Sequence, residues 1–240
     1  METSRLWDKV AEGYSFKAGI GPDYIAHFEE LEEVMGKNIR GKKILEVGSG
    51  TGMASAYLAG KGAELYLVDI SKKALAFQKK YFKSKNLKAK FYCRDAFSMK
   101  FPWKYFDVVW NGGVIEHFSD DKKIEMIKIM WRLVKPGGTL VIAAPNSGDI
   151  PFMVAKRILI LRNKWAFGFE DDLSAGRLTD LAKRAGVKRI VTYCHNPVAG
   201  WWFFPYGREI TGLLGLNMVK YHRRKSRWGH VLVMTAKKGG

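Results

Sequence analysis

The run Ile44-Leu45-Glu46-Val47-Gly48-Ser49-Gly50-Thr51-Gly52 constrains the fold more than any other stretch of the chain. A short strand-forming segment leads into glycines at alternate positions, and small residues in a helical pattern follow to about Ala59. Glycine adopts the left-handed backbone that a sharp strand-to-helix turn needs, and it lets the backbone approach a ligand closely. The helix that follows aims its free N–H groups and positive dipole end at whatever lies there. Asp69 ends the next predicted strand, Leu65-Tyr66-Leu67-Val68-Asp69. A carboxylate at that place can accept both hydroxyls of a ribose. Turn and carboxylate together predict a nucleoside site.

Around this turn, β-rich runs alternate with amphipathic stretches, the pattern of a parallel sheet covered by helices. Further strands are predicted at Phe91–Cys93, Phe106–Trp110, Thr139–Ala144, Val187–Tyr193 and Val231–Thr235, for seven in all. Ser71 is the expected N-cap of a helix that turns Ala74, Leu75, Phe77, Tyr81 and Phe82 inward. Asp120 opens another helix, which ends before Pro136-Gly137-Gly138, and a third runs from near Ser174 to Gly186. The expected fold class is α/β: a Rossmann-like, doubly wound, mostly parallel sheet in one domain over 1–240. Residues 146–170 and 196–227 break the rhythm with aromatics, bases, Gly and Pro, and they read as a cap formed by insertions on the substrate side of the crevice.

The bulk properties exclude several classes. With 47% hydrophobic residues among 240, disorder by composition is excluded. Cys93 and Cys194 stand far apart in no CxxC, which argues against a disulfide scaffold and a cysteine zinc site and fits a reducing cytoplasm. Met1–Arg5 lack the apolar core of a signal peptide, and no run of about 18 uncharged apolar residues occurs. The expected location is the cytoplasm.

Met53 stands where the dinucleotide fingerprint places its last glycine, and no Gly-Lys-Ser/Thr follows, so a P-loop is excluded. Glu46, just before the glycines, is unhelpful beside a pyrophosphate but suits a ligand bearing an ammonium and a sulfonium. Glu46–Gly52 resembles the first motif of the class I S-adenosylmethionine-dependent methyltransferases. The likeness extends through Leu67–Ser71, Arg94-Asp95-Ala96, Phe106–Val109 and Leu133–Leu140, in order, over most of residues 40–145. It lies toward the small-molecule, quinone and lipid branch. Trp7–Tyr14 also looks like a segment that closes over the cofactor.

The resemblance implies an antiparallel last strand, cofactor-covering helices in 1–40 and a cofactor-binding core in 41–145. It implies that Gly48, Ser49, Gly50 and Gly52 line the methionine moiety of S-adenosylmethionine, with Glu46 near its charge. Asp69 would hold the ribose, Ile70 would pack on the adenine, and Asp95 with Ala96 would read its amino edge. Asn111 and Gly112 would sit near the methionine amine, and Tyr14 near its carboxylate.

The implied reaction is in-line displacement of the sulfonium methyl by an acceptor, for which the protein mainly supplies alignment and water exclusion. A base is needed only where the acceptor keeps its proton until attack. His117 follows the fourth strand, on the rim where cofactor and acceptor meet, and is the candidate catalytic or acceptor-contacting residue; Glu116 ranks below it. Tyr193 and His195 face either the crevice or the core, His222 belongs to a basic run, and His27 and His230 have no supporting context. No metal-ligand spacing appears, Glu170-Asp171-Asp172 reads as a solvated helix entry, and no metal is expected.

The net charge is +18, and it is uneven. No acid occurs from Ser71 to Arg94, and Glu209 is the only one from Leu181 to Gly240. Within the second basic region lies Trp201-Trp202-Phe203-Phe204-Pro205-Tyr206, with Arg208 and His222-Arg223-Arg224-Lys225 beyond it. Aromatics beside bases suit an acceptor pocket, an anionic membrane surface or single-stranded nucleic acid, or they form a satellite core. The first reading is a small apolar or aromatic acceptor reached at an anionic membrane. The second is an RNA methyltransferase, and the third a catalytically silent cofactor-binding protein.

Overall fold

In the strands at the centre of the sheet, neighbouring residues are buried on opposite faces, so helices must cover both sides. The computed structural model describes residues 2–16, 32–33, 35–36, 38–214, 216 and 228–240. Parts of the 1–40 and 196–227 expectations, with His27 and His222–Lys225, lie outside the described residues. The strands are β1 Lys43–Val47, β2 Glu64–Asp69, β3 Lys90–Cys93, β4 Phe106–Gly112, β5 Val134–Pro145, β6 Ile190–His195 and β7 Val231–Lys237. They form one sheet in the order β3-β2-β1-β4-β5-β7-β6, in which β7 pairs antiparallel with both β5 and β6 and the other pairs are parallel.

On one face, Ile44, Leu65, Leu67 and Val141 pack with Met53, Leu58 and Phe82 of helices α2 Met53–Gly60 and α3 Lys72–Ser84. On the other, Leu45, Val68, Val109 and Leu140 pack with Met126, Met130, Leu178 and Leu181 of helices α4 Asp120–Leu133 and α6 Ala175–Arg184. Burying such side chains on both faces supplies roughly 1.5–3 kcal/mol per large aliphatic, the main drive to this architecture. Ser71 caps α3 as its sequence suggests, its Oγ accepting from Ala74 N at 3.0 Å. The strand order reverses between β1 and β4, which opens a crevice beyond their C-terminal ends.

Two boundaries differ from expectation. Pro136-Gly137-Gly138 does not separate helix from strand, because β5 starts at Val134 and carries these residues as an irregularity opposite Phe106 and Val108. Gly138 is needed there, since a Cβ would lie 2.7 Å from Asp107 O. The sixth strand begins at Ile190 rather than Val187, after Arg189 takes a left-handed φ of 55° while Val187 stays in the core.

Helix α5 Ile150–Leu161, the 3-10 turn Ala199–Phe203 and helix α7 Gly207–Leu213 lie within the two irregular segments. Phe152 of the first segment meets Phe203 of the second, ring centroids 4.9 Å apart. The N-terminal helix α1 Glu2–Glu12 lies against α3: Asp8 Oδ1 accepts the Ser71 hydroxyl at 2.6 Å and Lys73 N at 3.1 Å.

Candidate active site

The turn after β1 is held from two sides. Gly48 and Gly50 take left-handed φ of 69° and 49°, and Asp69 Oδ2 accepts the Gly50 N–H at 2.8 Å. The other carboxylate oxygen of Asp69 accepts Ser71 N at 2.8 Å. Burial pushes the Asp69 carboxyl upward in spite of these backbone N–H groups. Gln78 clamps the turn from behind, donating to Ser49 Oγ at 2.9 Å and Gly50 O at 2.8 Å. Among the described residues, a Cβ on Gly50 would meet only the Tyr14 hydroxyl, at 3.4 Å, so the backbone there is open on the cavity side. That bare bend beside a buried carboxylate fits the amino-acid and ribose portions of S-adenosylmethionine.

A cavity of about 410 Å³ runs from this turn toward the irregular segments. Tyr14, Gly48, Gly50, Asp69, Ile70, Asp95, Ala96, Gly112 and His117, all singled out in the sequence, lie on its wall. Asp95 does so while capping the 3-10 turn Ala96–Ser98 through Phe97 N at 2.8 Å. Burial, with Asp69 nearby, pushes the Tyr14 phenol up to about 12, so it stays a hydrogen-bond donor at neutral pH.

Four of the sequence candidates do not line the cavity. Asn111 is fully buried, and its amide points at the sulfurs of Met126 and Met130 at 3.7 and 3.5 Å, on the α4 side of the sheet. Glu46 bonds the Ser55 hydroxyl inside the core, where burial raises its carboxyl to about 8. Ser49 is turned toward Gln78. Gly52 makes room for Leu67 and Gln78, whose side chains would lie about 3.0 and 2.9 Å from its Cβ. Tyr193 and His195, the open cases of β6, are buried and off the cavity wall.

The far end of the cavity is aromatic: Trp7, Phe152, Trp165, Phe167 and Phe203, together with His230. Among the described residues on the wall, the one Lys or Arg is Arg94. His117 hydrogen-bonds Phe169 O through Nδ1 at 2.8 Å and meets Trp7 edge-on at 4.8 Å, joining the first irregular segment to α1. Burial lowers the His117 imidazole, which keeps the ring neutral. Glu116 is 3% exposed, its Oε2 has no hydrogen-bond partner among the described residues, and burial raises its carboxyl to about 8.

The acidic triplet is half-buried and ion-paired rather than a freely solvated helix entry. Lys156 pairs with Glu170 at 3.0 Å and Asp172 at 2.6 Å, and Asp171 pairs with Lys123 and with Arg177 at 2.7 Å. These cations stand far from the triplet or one helical turn beyond it, so local sequence gives no hint of the network. Glu116, His117 and Glu170 bring one donor atom each to within 4.8 Å of one another, with the Lys156 ammonium already on Glu170. Glu170 and His230 also line the site, although in sequence the first belongs to an acidic triplet that reads as solvated and the second has no supporting context.

Residues 44–138 match the family model described as a methyltransferase domain. The chain is similar to the ubiquinone biosynthesis O-methyltransferase of Pseudomonas fluorescens (strain SBW25), 27% identical over 204 residues that cover 81% of this chain and 83% of that protein. It is also similar to the protein of that name from Coxiella burnetii (strain Dugway 5J108-111), 27% identical over 62% of this chain and 65% of the relative. Among solved structures, the fold is shared with a SAM-dependent methyltransferase from Archaeoglobus fulgidus, TM-score 0.65 at 16% identity, covering 91% of this chain and 95% of that one. It is shared too with Haemonchus contortus phosphoethanolamine N-methyltransferase 2 in complex with S-adenosyl-L-methionine, TM-score 0.66 at 18% identity, over 100% of this chain and 58% of the other. The matched segment contains the glycine turn, Asp69 and both strands at the switch point, so residues 44–138 form a methyltransferase domain, and with these likenesses the chain is an S-adenosylmethionine-dependent methyltransferase.

Proposed function

We propose that the enzyme methylates a hydroxyl of a small, apolar aromatic acceptor of the phenol or quinol class. The observation that carries this reading is the continuity of one cavity from the glycine turn and Asp69 to the Phe152, Trp165, Phe167 and Phe203 rings. The names of the curated relatives, ubiquinone biosynthesis O-methyltransferases, point to the same acceptor class.

When bound, S-adenosylmethionine supplies an electrophilic methyl group on a sulfonium. Asp69 is the acceptor for the ribose hydroxyls, Gly48 and Gly50 bring bare backbone to the methionine portion, and Ile70, Asp95 and Ala96 meet the base. Aromatic walls hold the acceptor ring by stacking and edge contacts and exclude water, which favours a transition state that disperses charge. His117 contacts the acceptor on the methyl side of the rim. The bond from His117 to Phe169 O keeps the aromatic segment closed against Trp7.

The outer face of the same segments exposes Leu161 (84%) and Leu213 (88%), together with Ile150 and Ile210, among Arg157, Arg162 and Arg208. No helix among the described residues is long and apolar enough to cross a membrane. The exposed face supports peripheral contact with an anionic bilayer, the phase that holds an apolar acceptor. Cosedimentation with anionic liposomes that weakens with salt is the expected result.

Incubation with methyl-labelled S-adenosylmethionine and separate pools of phenols, lipid extract and RNA tests the acceptor class. Label in solvent-extractable phenolic product is expected. Label in RNA alone overturns the reading, as does a protein that binds the cofactor and labels nothing.

A further inference from the structure

Asp149 and His230 stand far apart in sequence and form a buried acid–imidazole pair on the aromatic side of the cavity. Asp149 Oδ2 accepts from His230 Nδ1 at 2.9 Å, and their side chains are only 4% and 15% exposed. Asp149 Oδ1 also caps α5, accepting Phe152 N at 3.3 Å. Gly200 closes over the carboxylate: a Cβ there would lie 2.2 Å from Asp149 Oδ1. The His230 backbone is pinned on both sides, its N–H donating to Asn196 O at 3.1 Å and its carbonyl accepting from Asn146 N at 2.8 Å. Its ring lies between Phe152 and Phe203, centroids 4.5 and 5.4 Å away.

The position of the ring is therefore fixed, and its tautomer follows. A carboxylate only accepts, so Nδ1 carries the proton. In the neutral ring the lone pair is therefore on Nε2, which has no hydrogen-bond partner among the described residues, while His230 lines the cavity shared with Gly112 and Glu116. His117 is placed differently: its Nδ1 is held by Phe169 O, and its Nε2 looks at a Glu170 oxygen 4.0 Å away.

We propose that His230, oriented by Asp149, is the base that takes the proton of the acceptor hydroxyl. The assignment rests on the phenolic reading above. As the hydroxyl oxygen forms its bond to the methyl carbon, the O–H proton passes to His230 Nε2 and the C–S bond breaks with its electron pair left on sulfur. The products are a methyl ether, S-adenosylhomocysteine and an imidazolium, whose charge Asp149 balances until the proton leaves to solvent.

The experiment compares wild type, His230→Gln and Asp149→Asn with two phenols, one un-ionised at the assay pH and one acidic enough to be ionised already. Asparagine caps a helix about as well as aspartate, so the second variant keeps α5 capped. His230→Gln is expected to lower kcat by about 10²- to 10⁴-fold with the un-ionised phenol. It should lose little with the ionised one, and affinity for S-adenosylhomocysteine should be unchanged. Nitrogen-15 NMR of labelled histidines should show His230 protonated at Nδ1 and bare at Nε2, with that signature altered in Asp149→Asn. Equal losses on both phenols, no loss at all, or a protonated Nε2 in the wild type overturn the base assignment alone. A wild-type protein that binds S-adenosylhomocysteine and methylates neither phenol overturns the acceptor reading, and the base assignment with it.

Discussion

Gly48 lies directly against Val114: a Cβ on the glycine would sit 2.4 Å from Val114 Cγ2. The turn after β1 thus touches the loop after β4 across the switch point, and the two walls of the cofactor crevice are locked by one missing methyl. Gly48→Ala therefore meets a steric clash as well as a left-handed φ of 69°. Denaturant unfolding should show a loss of about 1–3 kcal/mol from overpacking and backbone strain. Adding Val114→Ala should recover the steric part and leave the strain. Full recovery, or no loss in the single variant, contradicts this account of the turn.

Asp8 holds α1 over the site through Ser71 Oγ and Lys73 N, and Ser71 N in turn bonds Asp69. Asp8→Ala should therefore weaken S-adenosylhomocysteine binding and speed proteolytic cleavage near residues 2–16, while global unfolding changes little. The Ser71 hydroxyl first, then the Lys73 N–H, holds the Asp8 carboxyl below its ordinary value. The latch is accordingly complete above the normal aspartate range and is lost as pH falls through the lowered value. A binding affinity insensitive to Asp8→Ala shows that α1 does not cover the cofactor.

Glu116 and Glu46 work in the opposite sense. Burial raises both carboxyls to about 8, so the folded chain holds protons that the unfolded chain releases. Stability should fall with rising pH between the ordinary glutamate value and about 8, by at most about 1.4 kcal/mol per pH unit for each group. Glu116→Gln should flatten that slope and raise the melting temperature above pH 8. An unchanged slope means that Glu116 is already ionised in the fold.

His117 bridges Phe169 O and the Trp7 ring, so its loss should disturb acceptor placement more than cofactor binding. His117→Ala is expected to reduce kcat on the order of 10²-fold, the cost typical of a misplaced reacting pair. Steady-state kinetics beside calorimetry separates the two effects, and equal losses in kcat and cofactor affinity mark a purely structural role.

Much of the cofactor half was legible because its signals are local. Alternate glycines after an apolar strand specify the turn, Ser71 specifies a cap, and the strand end at Asp69 specifies a carboxylate facing the turn. Side-chain direction was harder to read. Asn111 shares the strand face of Val109, so the two-residue period of β4 sends its amide toward α4 rather than the cofactor. The acceptor half was hardest, because its partners are distant in sequence: Glu170 meets Lys156 and His117, and Asp149 meets His230. No spacing rule links such pairs, and an acidic triplet whose cations come from three other parts of the chain looks like a solvated one.

Titration calorimetry of S-adenosylhomocysteine into the wild type and Asp69→Ala tests whether the glycine turn and Asp69 hold the cofactor. One-to-one binding by the wild type is expected and, from the loss of charge-assisted hydrogen bonds of about 1.5–3 kcal/mol, affinity lower by about 10- to 100-fold in the variant. No binding by the wild type, or equal affinity in the two proteins, contradicts that role.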